Sequence, residues 1–298
     1  MKKTLSLMLA LAKVFALVLV AAPAAEAATP CDHTDHTGWT AWSTTADPIV
    51  AIDSDKGLAG GKYYLTEDVT VTERIMIKAD EEVTICLNGH KLTVNPTGAS
   101  SGTPTALGCF DTKTGSAGVT KLNFCDCSAT KTGVVERTTM PEAGRFGAVA
   151  LARKNAEINF YGGTFKLTVE NKSSTSPSMV HCNDKSGVIN IYEGAKFEHV
   201  NGMTVKSKGT VNVYGVGSNI TFTGDGADAK VVVDGVDKTA TADATTKLVS
   251  IAAFAPTPAP GGSTNPSTGD SANLVVMGLG LILGVAGMAC LLPKKQTV

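Results

Sequence analysis

The chain has 298 residues, and its 26 Lys and Arg residues against 27 Asp and Glu residues leave a formal net charge of −1. This balance provides no basic surface for a phosphate backbone, so no nucleic-acid partner is expected. The length allows one large domain with a sizeable core. Short apolar alternations separated by Gly, Asn, Asp and Ser indicate an all-β fold in the central region.

Residues 1–27 have the features of a cleaved secretory signal. Lys2 and Lys3 give a positive start, an apolar stretch runs from Leu5 to Val20, and Ala25-Glu26-Ala27 fits a cleavage site. The apolar stretch is short for a membrane-spanning helix, which is the alternative. We therefore expect an N-terminal signal helix that is removed on export.

The N-terminal segment, residues 28–57, contains a cluster of Cys and His side chains. Cys31-Asp32-His33 and Asp35-His36 carry ligand types that suit a transition metal, and the spacing of His33 and His36 is compatible with one site. A second ligand set is not visible in the sequence. We therefore expect a flexible polar segment, with no metal and no cofactor.

An internal repeat follows, in which an apolar residue, Asn, a second apolar residue and Tyr recur. Three copies are strong and two are weaker: Ile158-Asn159-Phe160-Tyr161, Ile189-Asn190-Ile191-Tyr192 and Val211-Asn212-Val213-Tyr214, then Leu122-Asn123-Phe124-Cys125 and Ile85-Cys86-Leu87-Asn88. The copies begin at residues 85, 122, 158, 189 and 211, so their offsets are 37, 36, 31 and 22 residues. Offsets near 22 with loops of varying length are typical of a parallel β-helix.

The sequence thus predicts a right-handed parallel β-helix, or solenoid, over residues 58–225. Residues 226–253 differ, because Val231-Val232-Val233-Asp234-Gly235 has the pattern of a strand that enters a hairpin turn. We expect this segment to be a β cap that closes the C-terminal end of the stack. The alternative is a β-sandwich, but sandwich strands are seldom so alike at matched positions.

Three stretches of the N-terminal third support the same fold by resemblance. His36-Thr37-Gly38-Trp39-Thr40-Ala41-Trp42, Gly61-Lys62-Tyr63-Tyr64-Leu65-Thr66-Glu67-Asp68-Val69 and Ile85-Cys86-Leu87-Asn88-Gly89-His90 resemble a group of gut-bacterial surface proteins of β-helix type. Beyond this third the likeness is only architectural. The resemblance implies a surface location and a solenoid fold, and it implies no particular activity.

The C-terminal end has a linker, residues 254–264, rich in Pro, Gly and Ser, and then three parts in a fixed order over residues 265–298. Asn265-Pro266-Ser267-Thr268-Gly269 is followed by an uncharged run, residues 274–292, and by Lys294-Lys295. A helix of this run at about 1.5 Å per residue is roughly 28 Å long, enough to span the hydrocarbon core of a bilayer. The two lysines would hold the tail in the cytoplasm.

This arrangement resembles the sorting signal of sortase-anchored surface proteins of Gram-positive bacteria, whose usual motif is LPxTG. Asn265 stands in the place of Leu, so the sortase class that reads the motif is open. The resemblance implies that a sortase cysteine attacks the Thr268 carbonyl, that the chain is cut before Gly269, and that a peptidoglycan amine takes the acyl group. The expected location is the cell wall, with a membrane anchor through residues 274–292 before sorting. Simple single-pass anchoring is the alternative.

The cysteines do not form an obvious disulfide framework. Six lie between the processed ends, and a seventh lies in the apolar C-terminal run: Cys31, Cys86, Cys109, Cys125, Cys127, Cys182 and Cys290. An even number permits disulfides in an exported protein. Cys125 and Cys127 are two apart on one strand face, too constrained to bridge each other comfortably. Buried thiols are therefore slightly favoured over disulfides.

No catalytic constellation is recognisable. Asp126, Asp184 and Glu193 occupy turns of different repeats, and Arg145 and Arg153 flank a strand without acidic neighbours at strand spacing. A glycosidase needs two carboxylates across one cleft, and a lyase needs carboxylates with a Lys or Arg base. We interpret these charges as solvated turn charges and expect no enzyme activity. The alternative is a secreted carbohydrate-active enzyme, a polysaccharide lyase or a glycosidase on a β-helix.

The repeat also predicts a surface. If Ile158 and Phe160 point inward, strand alternation turns Asn159 and Tyr161 outward. The equivalent outward residues of the next two copies are Asn190, Tyr192, Asn212 and Tyr214. Aromatic faces beside amides suit sugar rings, so the two ladders are a possible ligand surface. The favoured interpretation is that both ladders only stabilise the stack, because solenoids commonly stack like residues. For the protein as a whole we expect an adhesin-like surface protein that acts by presentation and by binding a glycan or host ligand.

Overall fold

The computed structural model describes residues 33–96, 108–140, 147–170, 178–239 and 249–253. These residues form two β-sheets and contain no α-helix. The first sheet has 12 strands: β1 Thr40–Trp42, β4 Gly61–Leu65, β5 Val69–Val71, β7 Glu82–Cys86, β8 Lys91–Val94, β10 Thr120–Cys125, β11 Val134–Arg137, β13 Ala156–Leu167, β15 Val188–His199, β17 Thr210–Val213, β19 Lys230–Val233 and β20 Val236–Asp237. The second has nine: β2 Val50–Ile52, β3 Asp55–Leu58, β6 Ile75–Ile77, β9 Phe110–Thr112, β12 Ala150–Ala152, β14 Ser178–Cys182, β16 Met203–Ser207, β18 Ile220–Gly224 and β21 Val249–Ile251.

Except in the hairpins β2–β3 and β19–β20, strands that pair are separated along the chain by strands of the other sheet, so the chain alternates between the two sheets. The first sheet runs β1-β4-β7-β10-β13-β15-β17-β19-β20, with β5, β8 and β11 beside this path, and the second runs β2-β3-β6-β9-β12-β14-β16-β18-β21. The pairs are parallel except β2–β3, β19–β20 and β18–β21. The expectation of an all-β fold is therefore confirmed, with parallel pairing dominant.

The internal repeat predicts the register correctly for its strong copies. Asn159 pairs with Asn190, and Asn190 pairs with Asn212, with the flanking apolar residues aligned as well. Asn123 pairs with Asn159, so the fourth copy is also in register. For the weakest copy the predicted register is wrong by two residues. The repeat places Phe124 beside Leu87, whereas Phe124 pairs with Ile85 in the sheet.

The core is built by period-two alternation. The apolar residues of the repeat are fully buried: Ile158, Phe160, Ile189, Ile191, Val211 and Val213. Phe160 stacks on Phe124 at 5.6 Å between ring centroids and meets Phe165 edge-on at 4.7 Å. Phe124 in turn meets Phe110 of the second sheet edge-on at 5.0 Å. One phenylalanine cluster thus joins the two sheets and several repeats, and it favours the stacked arrangement.

Antiparallel pairs lie at the ends of the sheets. Asp234 and Gly235 both have positive φ, 47° and 77°, as a two-residue hairpin between β19 and β20 requires. β21 pairs antiparallel with β18 at the same end of the second sheet. The strand and hairpin expected after residue 226 are therefore present. At the other end, β2 and β3 form a hairpin through Asp53, whose φ is 55°.

Several expectations fall outside the described residues. These are the signal helix of residues 1–27, Cys31, Arg145, the linker of residues 254–264, and the sorting signal of residues 265–298 with Asn265, Pro266, Ser267, Thr268 and Gly269. No helix among the described residues has the length and apolarity needed to cross a membrane.

Phe160→Asp should destabilise the fold by several kcal/mol, because it places an unpaired carboxylate in the phenylalanine cluster. Phe160→Leu is the matched control, since it shortens the side chain and keeps it apolar. The measurement is chemical denaturation of both variants beside the wild type. Equal midpoints for Phe160→Asp and the wild type would contradict the inward placement of this side chain.

Candidate functional site

The outward asparagines of the repeat form a continuous amide ladder. The Asn159 amide donates to Asn123 at 2.8 Å, Asn190 donates to Asn159 at 2.7 Å, and Asn212 donates to Asn190 at 2.8 Å. At the N-terminal end, Asn123 donates to Thr84 at 3.1 Å. Each amide uses its carbonyl oxygen and one N–H within the stack, as asparagine ladders do in other stacked sheets.

The asparagines point outward from the core, but three of the four are buried and Asn212 is half-buried. Asn123 and Asn159 are 2% exposed and Asn190 is 7% exposed. Glu157 closes one flank of the ladder, because its carboxylate accepts from Asn159 at 2.9 Å and from Asn190 at 3.3 Å. The prediction of an exposed amide ladder beside the tyrosines is therefore wrong for Asn159 and Asn190, because these amides pair with one another and with this carboxylate, whereas Asn212 is half-buried.

The tyrosine ladder is present and partly exposed. Tyr161 and Tyr192 stack at 4.4 Å between ring centroids, and Tyr192 and Tyr214 stack at 4.9 Å. Tyr214 is 51% exposed, whereas the other two are half-buried. Burial and the neighbouring Tyr161 raise the pKa of the Tyr192 hydroxyl, so it keeps its proton at neutral pH. The rings cover one another, so edges and hydroxyls are what this surface offers to solvent.

A second group, which we call the Cys–His cluster, consists of His33, His36, Cys86 and Cys127. Their donor atoms all lie within 4.8 Å of one another. The two histidine Nε2 atoms are 3.2 Å apart, the two cysteine Sγ atoms are 3.3 Å apart, and Cys127 Sγ is 3.5 Å from His36 Nε2. The second ligand set that the sequence did not reveal is therefore the cysteine pair, which lies on later repeats.

Aromatic contacts hold the histidines of the Cys–His cluster in place. His36 stacks on Tyr64 at 4.1 Å with an interplanar angle of 10°. His33 packs against Trp39 at 4.5 Å, and the backbone N–H of Trp39 donates to the carbonyl of His36 at 2.9 Å. Residues 33–39 thus lie packed against the sheet, in contrast to the flexible segment expected from the sequence.

The surroundings shift the pKa values of the two thiols of the Cys–His cluster in opposite directions. Hydrogen bonding from the Cys125 thiol, together with His36, lowers the pKa of the Cys86 thiol to about 4 against the raising effect of burial. Burial and the neighbouring Cys86 raise the pKa of the Cys127 thiol to about 12. The two shifts are opposite in direction because the two sulfurs lie 3.3 Å apart, so a negative charge on one disfavours a negative charge on the other. The described cysteines form no disulfide, in agreement with the preference for thiols.

The outward face of the second sheet carries a charged groove of about 520 Å³. Asp111, fully buried, accepts two bonds of 2.6 Å from the Arg153 guanidinium and lies 3.4 Å from Arg74. Arg74 and Lys113 both bind Asp55, at 2.7 and 2.8 Å. Burial raises the pKa of Asp111, and the two arginines oppose this. Arg153 has no acidic neighbour at strand spacing in the sequence, but the structure supplies one, because Asp111 comes from the adjacent repeat.

The acids predicted to be solvated turn charges differ from one another. Asp126 is 1% exposed and accepts backbone N–H bonds from Gly89, Ser128 and Gly133 at 2.7 to 3.1 Å, so it fastens two loops together. For Asp126 the prediction is therefore wrong. Asp184 caps its own turn through Ser186, and Glu193 is exposed. The three carboxylates do not share a site.

Comparison of the chain with protein-family models, with curated proteins and with solved structures gave no match.

Asn190→Ala should destabilise the protein by about 1–3 kcal/mol, because it leaves the buried amide of Asn159 and the half-buried amide of Asn212 each without one partner. The control is Lys196→Ala on the same strand, an exposed position where a change of at most ~0.5 kcal/mol is expected. Thermal unfolding of both variants is the measurement. If both variants unfold at the same temperature as the wild type, the amide ladder does not stabilise the sheet.

Proposed function

We propose that this chain is a cell-wall-anchored, adhesin-like surface protein that acts by presentation and binding. The proposal includes a right-handed parallel β-helix over residues 58–225 and a β cap over residues 226–253. Its support is the parallel pairing of successive repeats in two sheets, with antiparallel pairs at their ends. In a repeat stack of this kind each unit contacts only its neighbours, so outward side chains recur at a fixed spacing.

The anchoring part of the proposal rests on the sequence of the two ends. Residues 1–27 direct export, and residues 265–298 present the sorting motif, an apolar run and two lysines in that order. A sortase and peptidoglycan are the partners in this step. The linker of residues 254–264 would then separate the folded part from the wall, because Pro-rich chain is extended and semi-rigid.

The binding part rests on one observation, the outward ladder of Tyr161, Tyr192 and Tyr214. Its hydroxyls recur along the stack at a spacing close to that of neighbouring strands, about 4.8 Å. Phenol hydroxyls both donate and accept, so a row of them can meet the hydroxyls of a glycan chain. Tyr214, the most exposed ring, can also cover the C–H face of one sugar. A glycan of the host or its matrix is therefore the proposed ligand.

The alternative, a carbohydrate-active enzyme, has one observation in its favour, the charged groove with Asp55, Arg74, Lys113 and Arg153. A lyase requires a basic residue and carboxylates in one cleft. Here, however, the Arg and Lys side chains already form ion pairs with carboxylates at 2.6 to 2.8 Å. The groups that a substrate would need are therefore already paired with one another. Binding by the tyrosine ladder is therefore preferred over catalysis in the groove.

Tyr192→Ser should abolish adhesion to glycan-coated surfaces, because it removes the middle ring and hydroxyl of the ladder. The loss of two stacked contacts should also lower Tm modestly, so adhesion is measured per folded molecule. Tyr192→Phe is the matched variant, since it keeps the stack and removes only the hydroxyl, and it should weaken adhesion as well. Unchanged adhesion in both variants would leave the ladder a purely structural feature. New reducing ends or unsaturated products in the same incubation would favour the enzyme alternative.

Thr268→Ala should leave the protein extractable with membranes, because it removes the threonine side chain of the motif that a sortase must recognise before it cuts the chain after residue 268. The measurement is fractionation of cells with detergent before and after digestion of the wall. Wild-type protein should need wall digestion for release. Wild-type protein that detergent alone dissolves completely would contradict wall anchoring and support the single-pass membrane alternative.

A further inference from the structure

Three of the six distances between donor atoms in the Cys–His cluster are close to the edges of a metal tetrahedron, and the other three are no longer than 4.8 Å. Zinc bonds of about 2.3 Å to sulfur and roughly 2.0–2.1 Å to nitrogen give tetrahedral edges of ~3.3 Å between nitrogens, ~3.6 Å between sulfur and nitrogen and ~3.8 Å between sulfurs. The corresponding contacts are 3.2 Å for His33–His36, 3.5 Å for Cys127–His36 and 3.3 Å for Cys86–Cys127. Each differs from its ideal edge by about half an ångström or less.

The two halves of the cluster are each held by their own surroundings. Tyr64 and Trp39 fix the two imidazoles through ring contacts at 4.1 and 4.5 Å. On the cysteine side, Asp126 accepts from the backbone N–H of Gly89 at 2.9 Å and of Ser128 at 3.1 Å. The carboxylate thereby joins the loop after β7 to the loop after β10, the two loops that adjoin the cysteines. Ligands fixed in this way need little rearrangement to receive an ion.

We propose that His33, His36, Cys86 and Cys127 form a structural zinc site that fastens the N-terminal segment to the first sheet. Two cysteines and two histidines are a ligand set typical of closed, tetrahedral zinc sites. All four coordination positions belong to the protein, so no position is left for a water or substrate, and the role is structural rather than catalytic. Zinc binds cysteine as the thiolate, so binding releases any proton that the two thiols still carry, and Zn²⁺ with two thiolates is electrically neutral.

The site links parts of the chain that are distant in sequence. His33 lies before β1, Cys86 is the last residue of β7, and Cys127 lies two residues after the end of β10. A link of this length removes much conformational freedom from the unfolded chain, so zinc should stabilise the folded state. The stabilised region includes β1, which pairs with β4 at one end of the first sheet.

Two other states could place these atoms close together, and the experiment must separate them from zinc binding. One is a disulfide between Cys86 and Cys127, which requires the sulfurs to approach from 3.3 Å to about 2.05 Å. The other is a hydrogen-bonded group of thiols and imidazoles that holds no metal. A disulfide consumes both sulfurs, and a hydrogen-bonded group shows no preference among divalent ions.

The test uses the full chain, purified with reductant, stripped of metal by a chelator and then given ZnCl₂ or MgCl₂. We expect one zinc per chain and a Tm that rises with zinc and not with magnesium, because a ligand of the folded state stabilises it. CoCl₂ should give the absorption bands of tetrahedral cobalt with thiolate ligands. Failure of the reduced wild-type protein to bind zinc more tightly than magnesium would overturn the proposal without any variant.

Two ligand variants and two controls locate the site. Cys127→Ser and His33→Gln should each weaken zinc binding by at least ~100-fold, since loss of a mere supporting contact costs about 10–100-fold. Cys182→Ser and His199→Gln remove the same residue types elsewhere in the sheets and should bind zinc like the wild type. Circular dichroism checks that each variant keeps its strand signal. Equal zinc affinity in all four variants would overturn the assignment, as would a Cys86–Cys127 disulfide in protein recovered from cells without reductant.

Discussion

The parallel backbone hydrogen bonds between successive repeats impose the constraint on which the rest of the structure depends. In a parallel register, each side chain lies directly beside its equivalent in the next repeat, about 4.8 Å away. Residue types that gain from contact with their own kind therefore recur: phenylalanines inside, and asparagines and tyrosines outside. Charged residues follow the opposite rule, because a charged side chain is stabilised beside one of opposite sign. Lys166 lies between Glu136 and Glu198 in the same register and contacts Glu198 at 3.1 Å.

Outward side chains at one matched position of successive strands form a column along the first sheet. The residue types in this column change from one end of the sheet to the other. Tyr64 pairs with Cys86, and Cys86 pairs with Cys125, the residue after Phe124. Because Phe124 pairs with Phe160, the column continues toward Tyr161 and the tyrosine ladder. At one end the column is covered by the N-terminal segment, and at the other end its rings face solvent. The proposed zinc site and the proposed ligand surface therefore occupy different repeats of one column.

The outward face of the second sheet shows how buried charge limits function. Asp111 is fully buried and bonded to Arg153 by two short contacts, so removal of either partner would leave an uncompensated charge. Such a pair holds adjacent repeats in register. Its charged groups already bond to each other, so they have few hydrogen-bonding positions left for a substrate. The tyrosine hydroxyls are not held in a buried ion pair of this kind. They can exchange hydrogen-bond partners with water at little cost. This difference is the reason that we propose binding by the first sheet and not catalysis by the second.

The sequence by itself determined the strand class, the in-and-out alternation and the register of the strong repeats, because Asn and Tyr mark a column that apolar residues alone would leave ambiguous. It did not determine the register of the weakest copy, since a shift of two residues keeps every side chain on its own face. Nor could it show that the asparagines would be buried by one another, or that Arg153 would meet Asp111. The partners of His33 and His36 were decided only by the tertiary structure. Cys86 and Cys127 lie on later repeats, and their distance from the histidines depends on the stacking of β4, β7 and β10 and not on spacing along the chain.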